Sequence, residues 1–99
     1  MQLRVQSIHF TADGKLLEFI QEKVDRLVHY DGRILGGEVC LKLDKSKDAQ
    51  NKVVQIRIQI PGTNLFTRYQ CRTFEEATDL CIGTLTQQIK KRKDKQYNN

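Results

Sequence analysis

The amino-acid sequence predicts an α+β two-layer sandwich in the order β-α-β-β-β-α, a four-stranded sheet with two helices packed on one face. Three observations predict this fold. Two segments repeat apolar residues every three or four positions, four segments alternate apolar and polar residues, and turn or capping residues separate them. With 99 residues, 38% hydrophobic side chains and one proline, the chain is expected to form one domain over residues 1–99.

The first two elements are a strand and a helix. Residues 2–8 alternate around Leu3 and Val5, which is the period of a half-buried strand. Asp13 can cap the following helix by accepting hydrogen bonds from first-turn amides, and the helix should run to about Tyr30. Its apolar stripe is formed by Leu16, Ile20, Val24 and Leu27.

Three further strands are predicted to form a meander. The second strand is expected from Glu38 to Asp44, after a connection marked by the glycine doublet Gly36-Gly37, which is interpreted as a turn. Residues 53–60 are the clearest strand, because every second residue from Val54 to Ile60 is apolar. Pro61 and Gly62 suit a type II turn, so residues 65–72 should return antiparallel.

The last element is a capped helix that continues into a basic run. Thr73 and Glu76 have the spacing of a capping box, and Gly83 lies in mid-helix at a cost of about 1 kcal/mol relative to alanine. The apolar stripe consists of Phe74, Ala77, Cys81, Leu85 and Ile89. Beyond it the sequence KKRKDK places cations on all sides of the helix axis, so this part must project beyond the sheet or fray.

The positive charge is concentrated at this C-terminal end. Residues 1–89 hold 12 basic and 11 acidic side chains, whereas residues 90–99 hold 5 and 1. Such asymmetry favours a polyanionic partner, although the tail could instead be a solvated helix end that aids solubility. Lys23 and Arg26 on helix one are expected beside helix two, where they would extend a basic surface.

Aromatic residues give a weaker signal for nucleic-acid binding. They are scattered along the chain, and no run interleaves them with basic residues as in single-strand binders. Contacts to phosphate, helix shape and the 2′-hydroxyl are therefore favoured over base recognition.

Other function classes find little support in the sequence. The cysteines Cys40, Cys71 and Cys81 lie far apart within apolar patterns, which favours buried free thiols over a disulfide or a metal site. His9 and His29 are expected at the surface, and no nucleophile, base and anion site can be assembled, so we expect no enzyme, cofactor or small-molecule substrate. The sequence has no membrane-span or signal-peptide pattern, which predicts a cytoplasmic protein without a membrane partner.

Three segments carry a family resemblance: the opening MQLRV, the helix LLEFIQEKVDRL and the closing block TFEEATDLCIGTLTQQIKKRKDK. With them the chain resembles the short ribosome hibernation promoting factor and ribosome-associated inhibitor A family, also called the sigma-54 modulation protein family. In the last block the residues that match the family pattern are Ala77, Asp79, Leu85, Gln88, Lys91 and Lys93.

The resemblance implies a protein that occupies the small-subunit channel for messenger RNA and for A-site and P-site transfer RNA, and so keeps ribosomes idle under slow growth or stress. Its partners would be the small ribosomal subunit and its rRNA, and it would be a monomer when free. Lys23, Arg26, Lys91 and Lys93 match basic positions of the family. Charge and neighbourhood add Lys90, Arg92 and Lys95 to the predicted RNA-binding residues.

The chain departs from the family pattern in its second helix. Thr84 and Gln87 stand where relatives often carry Lys and Arg, and Thr78 stands where an apolar residue is usual. Two other interpretations of the chain stay open. It could be a general double-stranded RNA-binding module, which also places two helices on one sheet face, or a protein-interaction domain with a solubilising tail.

Overall fold

The computed structural model describes residues 3–45 and 49–97, with side chains described as far as Arg92. The predicted order β-α-β-β-β-α and the α+β class are confirmed. The elements are β1 Leu3–Ile8, α1 Gly14–Tyr30, β2 Gly36–Leu43, β3 Lys52–Ile60, β4 Thr63–Cys71 and α2 Phe74–Tyr97.

The four strands form one mixed sheet in the order β1-β2-β3-β4. β1 pairs with β2 in parallel, and the β2-β3 and β3-β4 pairs are antiparallel, so the predicted meander is confirmed. Ile60 pairs with Thr63 across a two-residue turn. Gly62 in that turn has φ +86°, the conformation for which a glycine was expected.

Both helices pack on the same face of the sheet and begin at the same end of the molecule. Phe10, just before α1, stacks on Phe74, the first residue of α2, with ring centroids 4.8 Å apart. β4 runs in the direction of β1, so the helices that follow these strands return across the sheet side by side. The fully buried core residues include Ile20, Val24, Leu41, Ile56, Ile58, Cys81, Leu85 and Ile89.

Both predicted capping residues accept a hydrogen bond from a first-turn amide. Asp13 Oδ1 accepts a hydrogen bond from the Leu16 amide at 2.8 Å. Thr73 Oγ1 accepts one from the Glu76 amide at 3.0 Å, which is one half of the predicted capping box. These bonds satisfy first-turn amides that have no partner within the helix.

The glycine doublet Gly36-Gly37 was wrongly interpreted as a turn, because it opens β2. Gly37 pairs with Leu3 on one side and Ile58 on the other. A Cβ atom at Gly37 would lie 3.0 Å from Ile58 Cδ1 and 3.3 Å from Leu3 Cδ1. The glycine therefore makes room for two neighbouring apolar side chains, and β2 begins two residues earlier than predicted and ends at Leu43 rather than Asp44.

Candidate nucleic-acid interface

The basic run lies on a regular continuation of α2. The helix extends to Tyr97, whereas its buried stripe, within the described side chains, ends at Ile89. Lys90, Lys91 and Arg92 are exposed. The eight helical residues beyond Ile89 add about 12 Å of length to a molecule whose longest dimension is 48 Å. The side chains of the predicted residues Lys93 and Lys95 lie outside the described part of the chain.

Lys23 is an interhelical contact as well as a cation. Its Nζ atom lies 3.1 Å from Asp79 Oδ1 on α2 and 5.3 Å from the centre of the Phe19 ring. The Lys23 side chain is 24% exposed and that of Asp79 is 54% exposed. Lys23 thus lies beside α2 as predicted, but its charge is already opposed by a carboxylate of that helix.

Arg26 is more available to a partner than Lys23. Its side chain is 65% exposed and contacts Glu22 one turn earlier at 3.3 Å, a type of surface pair that contributes little to stability. Since Lys23 faces Asp79, Arg26 lies about 12 Å from Lys90 along the shared helix direction. Arg26 and the tail therefore lie towards the same end of the molecule, where both helices end.

The helix layer before the tail is not a basic surface by itself. α1 and the part of α2 up to Ile89 carry three basic residues, Lys15, Lys23 and Arg26. The same segments carry six acidic residues, namely Glu18, Glu22, Asp25, Glu75, Glu76 and Asp79. The positive field on this side of the molecule therefore originates mainly from the tail. This agrees with the small net charge of the first 89 residues.

Comparison with known proteins settles the family. Residues 3–97 match the model of the family described as Sigma 54 modulation protein / S30EA ribosomal protein. The chain belongs to this family. The resemblance seen in the sequence is thereby confirmed.

One curated protein is similar in sequence, and two solved structures have the same fold. A curated protein named ribosome hibernation promoting factor, from Pseudomonas putida strain KT2440, is 28% identical over 98 residues, which are 99% of this chain and 92% of that protein. A ribosomal subunit interface protein from Coxiella burnetii has the same fold, with a TM-score of 0.84 at 18% identity over 95% of this chain and 99% of that one. The N-terminal domain of Protein Y from Thermus thermophilus also shares it, with a TM-score of 0.77 at 20% identity over 92% of this chain and 98% of that one.

Two of the three departures from the expected family pattern make local hydrogen bonds. Thr78 is fully buried, and its hydroxyl donates to the Phe74 carbonyl at 2.7 Å, which satisfies the polar atom at a position where the resemblance led us to expect an apolar residue. The hydroxyls of Thr84 and Tyr69 share a hydrogen bond of 2.6 Å that ties α2 to β4. Gln87 is exposed and leaves this turn of α2 uncharged.

Two charged features were missed by sequence reasoning. Asp31, only 3% exposed, accepts hydrogen bonds from the backbone and guanidinium of Arg33 in the loop after α1. The second feature is a set of cations on the outer face of the sheet, which the helices leave uncovered. The alternation within each strand could have assigned these cations to the solvent face. The register between the strands was needed to show that they lie side by side.

Within the described residues, no group of His, Cys, Asp and Glu side chains is arranged to hold a metal ion. No helix in that part of the chain is long and apolar enough to cross a membrane. Of the three cysteines, Cys71 and Cys81 are buried and Cys40 is half-buried on the outer sheet face.

Proposed function

We propose that this protein is a ribosome hibernation factor that binds the small ribosomal subunit through its rRNA and blocks translation under slow growth or stress. The observation that carries the proposal is the family match over residues 3–97. The name of the Pseudomonas putida relative, ribosome hibernation promoting factor, points to the same process. Such a protein would act in the cytoplasm, where ribosomes translate.

We propose that the whole chain acts as one ribosome-binding domain and occupies the channel used by messenger RNA and by A-site and P-site transfer RNA. The projecting end of α2 would reach rRNA phosphates that the compact body cannot approach. Its proposed contacts are Lys90, Lys91, Arg92, Lys93 and Lys95, with Arg26 as a further cation near the same end.

Lys23 would have a smaller share of the binding. To reach a phosphate it would have to leave Asp79, which lies at 3.1 Å in the free protein. Lys23 would then exchange one anionic partner for another, which contributes less binding free energy than a phosphate contact made by an unpaired cation. We therefore rank Lys23 below Arg26 and the tail.

Occlusion needs neither turnover nor a cofactor. A protein that fills the channel competes with messenger and transfer RNA by binding alone, and a monomer is sufficient for that. We therefore propose a non-enzymatic mechanism in which the core sheet holds α2 at a fixed angle and the tail provides most of the electrostatic attraction. Such attraction weakens as salt displaces the counterions that binding would release.

A cell-free translation assay tests this function. Purified protein is titrated into a reaction that reports luciferase synthesis, alongside a variant in which Lys90, Lys91 and Arg92 are changed to Ala. We expect the wild type to suppress synthesis and the variant to require a higher concentration for the same effect. Undiminished synthesis at saturating wild-type protein would contradict the proposal.

A competition experiment separates this function from general recognition of double-stranded RNA. Small subunits carrying bound protein are challenged with a blunt RNA duplex. We expect the duplex to compete weakly, because the proposed site includes the shape of the channel as well as phosphate charge. Free small subunits serve as the reference competitor. If duplex RNA displaced the protein at the same concentration as free small subunits, a general duplex-binding module would be favoured instead.

A further inference from the structure

The outer face of the sheet carries an excess of positive charge. It presents four basic side chains, Arg4, Lys42, Arg57 and Arg68, and one acidic side chain, Glu38. Both helices pack on the opposite face, so this face has no layer of secondary structure over it in the part of the chain that the structure describes. It therefore differs from the helix layer before the tail, where acidic residues outnumber basic ones.

Strand register arranges these residues in rows across the sheet. One row runs Arg4, Glu38, Arg57 and Phe66 from β1 to β4. The next row runs Gln6, Cys40, Gln55 and Arg68. Directly opposed side chains on one face lie about 5 Å apart, and successive rows are about 7 Å apart.

Phe66 is an aromatic residue that is exposed on this face and does not contribute to the buried core. Its side chain is on the solvent side of β4 and is 54% exposed, although it is a large apolar ring. Arg57 lies directly opposite it and Arg68 follows two residues later on the same face. A shallow groove of about 370 Å³ is lined by Arg4, Gln6, Glu38, Gln55, Arg57 and Phe66.

We propose that this outer face binds unpaired RNA, with a base stacked on Phe66. A planar base can cover an exposed aromatic ring, and sheets with surface aromatics between cations are a common platform for single strands. Arg4 and Arg68 would contact the sugar-phosphate backbone. Gln6 and Gln55 carry both donors and acceptors and would meet base edges in the groove.

Glu38 restricts what this face can accept. Its carboxylate is paired with Arg57, which draws the guanidinium towards β2, whereas Phe66 lies on the other side of Arg57, on β4. A carboxylate repels phosphate but accepts hydrogen bonds from base amino groups. The groove centre would therefore bind bases, and the flanking cations Arg4 and Arg68 would bind phosphates. A single strand can present bases and phosphates together in this way, whereas the exterior of a duplex presents mainly phosphates.

The outer face also lies close to the proposed ribosomal contact. The row that contains Phe66 is near the start of β1, at the end of the sheet where both helices end and the basic tail projects. An unpaired strand could thus pass from the tail to the outer face. The inference goes beyond the hibernation function and does not depend on it, because it rests on the residues of the sheet face alone.

Fluorescence anisotropy with a fluorescein-labelled oligocytidylate, whose bases carry the amino groups that Glu38 would accept, tests the proposal. Loss of one base stack predicts that Phe66→Ala weakens binding roughly five- to hundredfold. Phe66→Tyr keeps the ring and should bind like wild type, whereas Phe66→Leu keeps apolar area without a π-face and should bind weakly. Leu80→Ala, which removes another exposed apolar side chain from α2, is the matched control and should leave binding unchanged.

Chemical-shift mapping with the same RNA locates the site independently of any substitution. We expect perturbed amides on β3 and β4 around Arg57, Phe66 and Arg68, and the same sheet signals in a variant with Lys90, Lys91 and Arg92 changed to Ala. Wild-type affinity of Phe66→Ala, or shifts confined to α2, would overturn the proposal. Neither result would affect the proposed function, which is read out by translation and small-subunit binding.

Discussion

The same substitution, glycine to alanine, should have opposite effects at two positions of this fold. Gly83 lies in the middle of α2, is exposed, and would place a Cβ atom in open space with nothing within 4 Å. Alanine there gains about 1 kcal/mol of helix propensity, with no packing cost to subtract. Gly62 lies in the β3-β4 turn at φ +86° and also has open space around it. Alanine there should cost about 1 kcal/mol, because its side chain disfavours a left-handed backbone.

Urea denaturation followed by circular dichroism measures both effects. The free energies of unfolding of Gly83→Ala and Gly62→Ala should differ by about 2 kcal/mol, with wild type between them. Neither variant is expected to change the m value, because neither changes the surface buried on folding. A destabilised Gly83→Ala variant would refute the assignment of residue 83 to a regular, exposed helical turn.

Three further results are expected. A double-mutant cycle on Lys23→Ala and Asp79→Ala should give a coupling free energy of about 0.5 kcal/mol in unfolding, and this coupling should disappear in concentrated NaCl. A coupling of zero at low salt would show that Lys23 does not hold the two helices together. A maleimide reagent should label Cys40 in the native protein and reach Cys71 and Cys81 only after unfolding; rapid native labelling of all three would contradict their burial. Burial raises the pKa of Cys81 from 9.0 to about 12, so the stability that depends on its neutral thiol is complete below pH 9 and is lost as the pH rises towards 12. Urea melts on either side of pH 9 should show this loss in wild type and a smaller one in Cys81→Ala; equal losses would assign it to other groups.

Much of the fold follows from local patterns in the sequence. Asp13 and Thr73 mark the helix starts because each side chain satisfies an amide of the first turn. The alternation from Val54 to Ile60 identifies β3 because a sheet covered on one face buries every second residue. These features depend on neighbours in the chain, so the sequence alone is sufficient to predict them.

The parts that could not be predicted depend on contacts between distant segments. Gly37 resembles a turn residue in the sequence, but its role is to accommodate Leu3 and Ile58 from two other strands. The pairing of Lys23 with Asp79 requires the two helices to be placed side by side. The basic tail could be identified from the sequence because its cations are adjacent in the chain. The outer-face cations could not be grouped in this way, because they come from four different strands.

We propose that the projecting, cationic end of α2 attaches this protein to the small ribosomal subunit. Co-sedimentation with purified small subunits across a KCl series tests it directly, with a variant in which Lys90, Lys91 and Arg92 are changed to Ala. A matched control changes Lys15, Lys45 and Arg72 to Ala, three exposed cations at the opposite end of the molecule. We predict steep salt dependence for wild type and control, and for the tail variant a slope of log affinity against log salt that is smaller by about 2 to 3. Equal slopes for the tail variant and wild type would show that the tail does not contact rRNA phosphates.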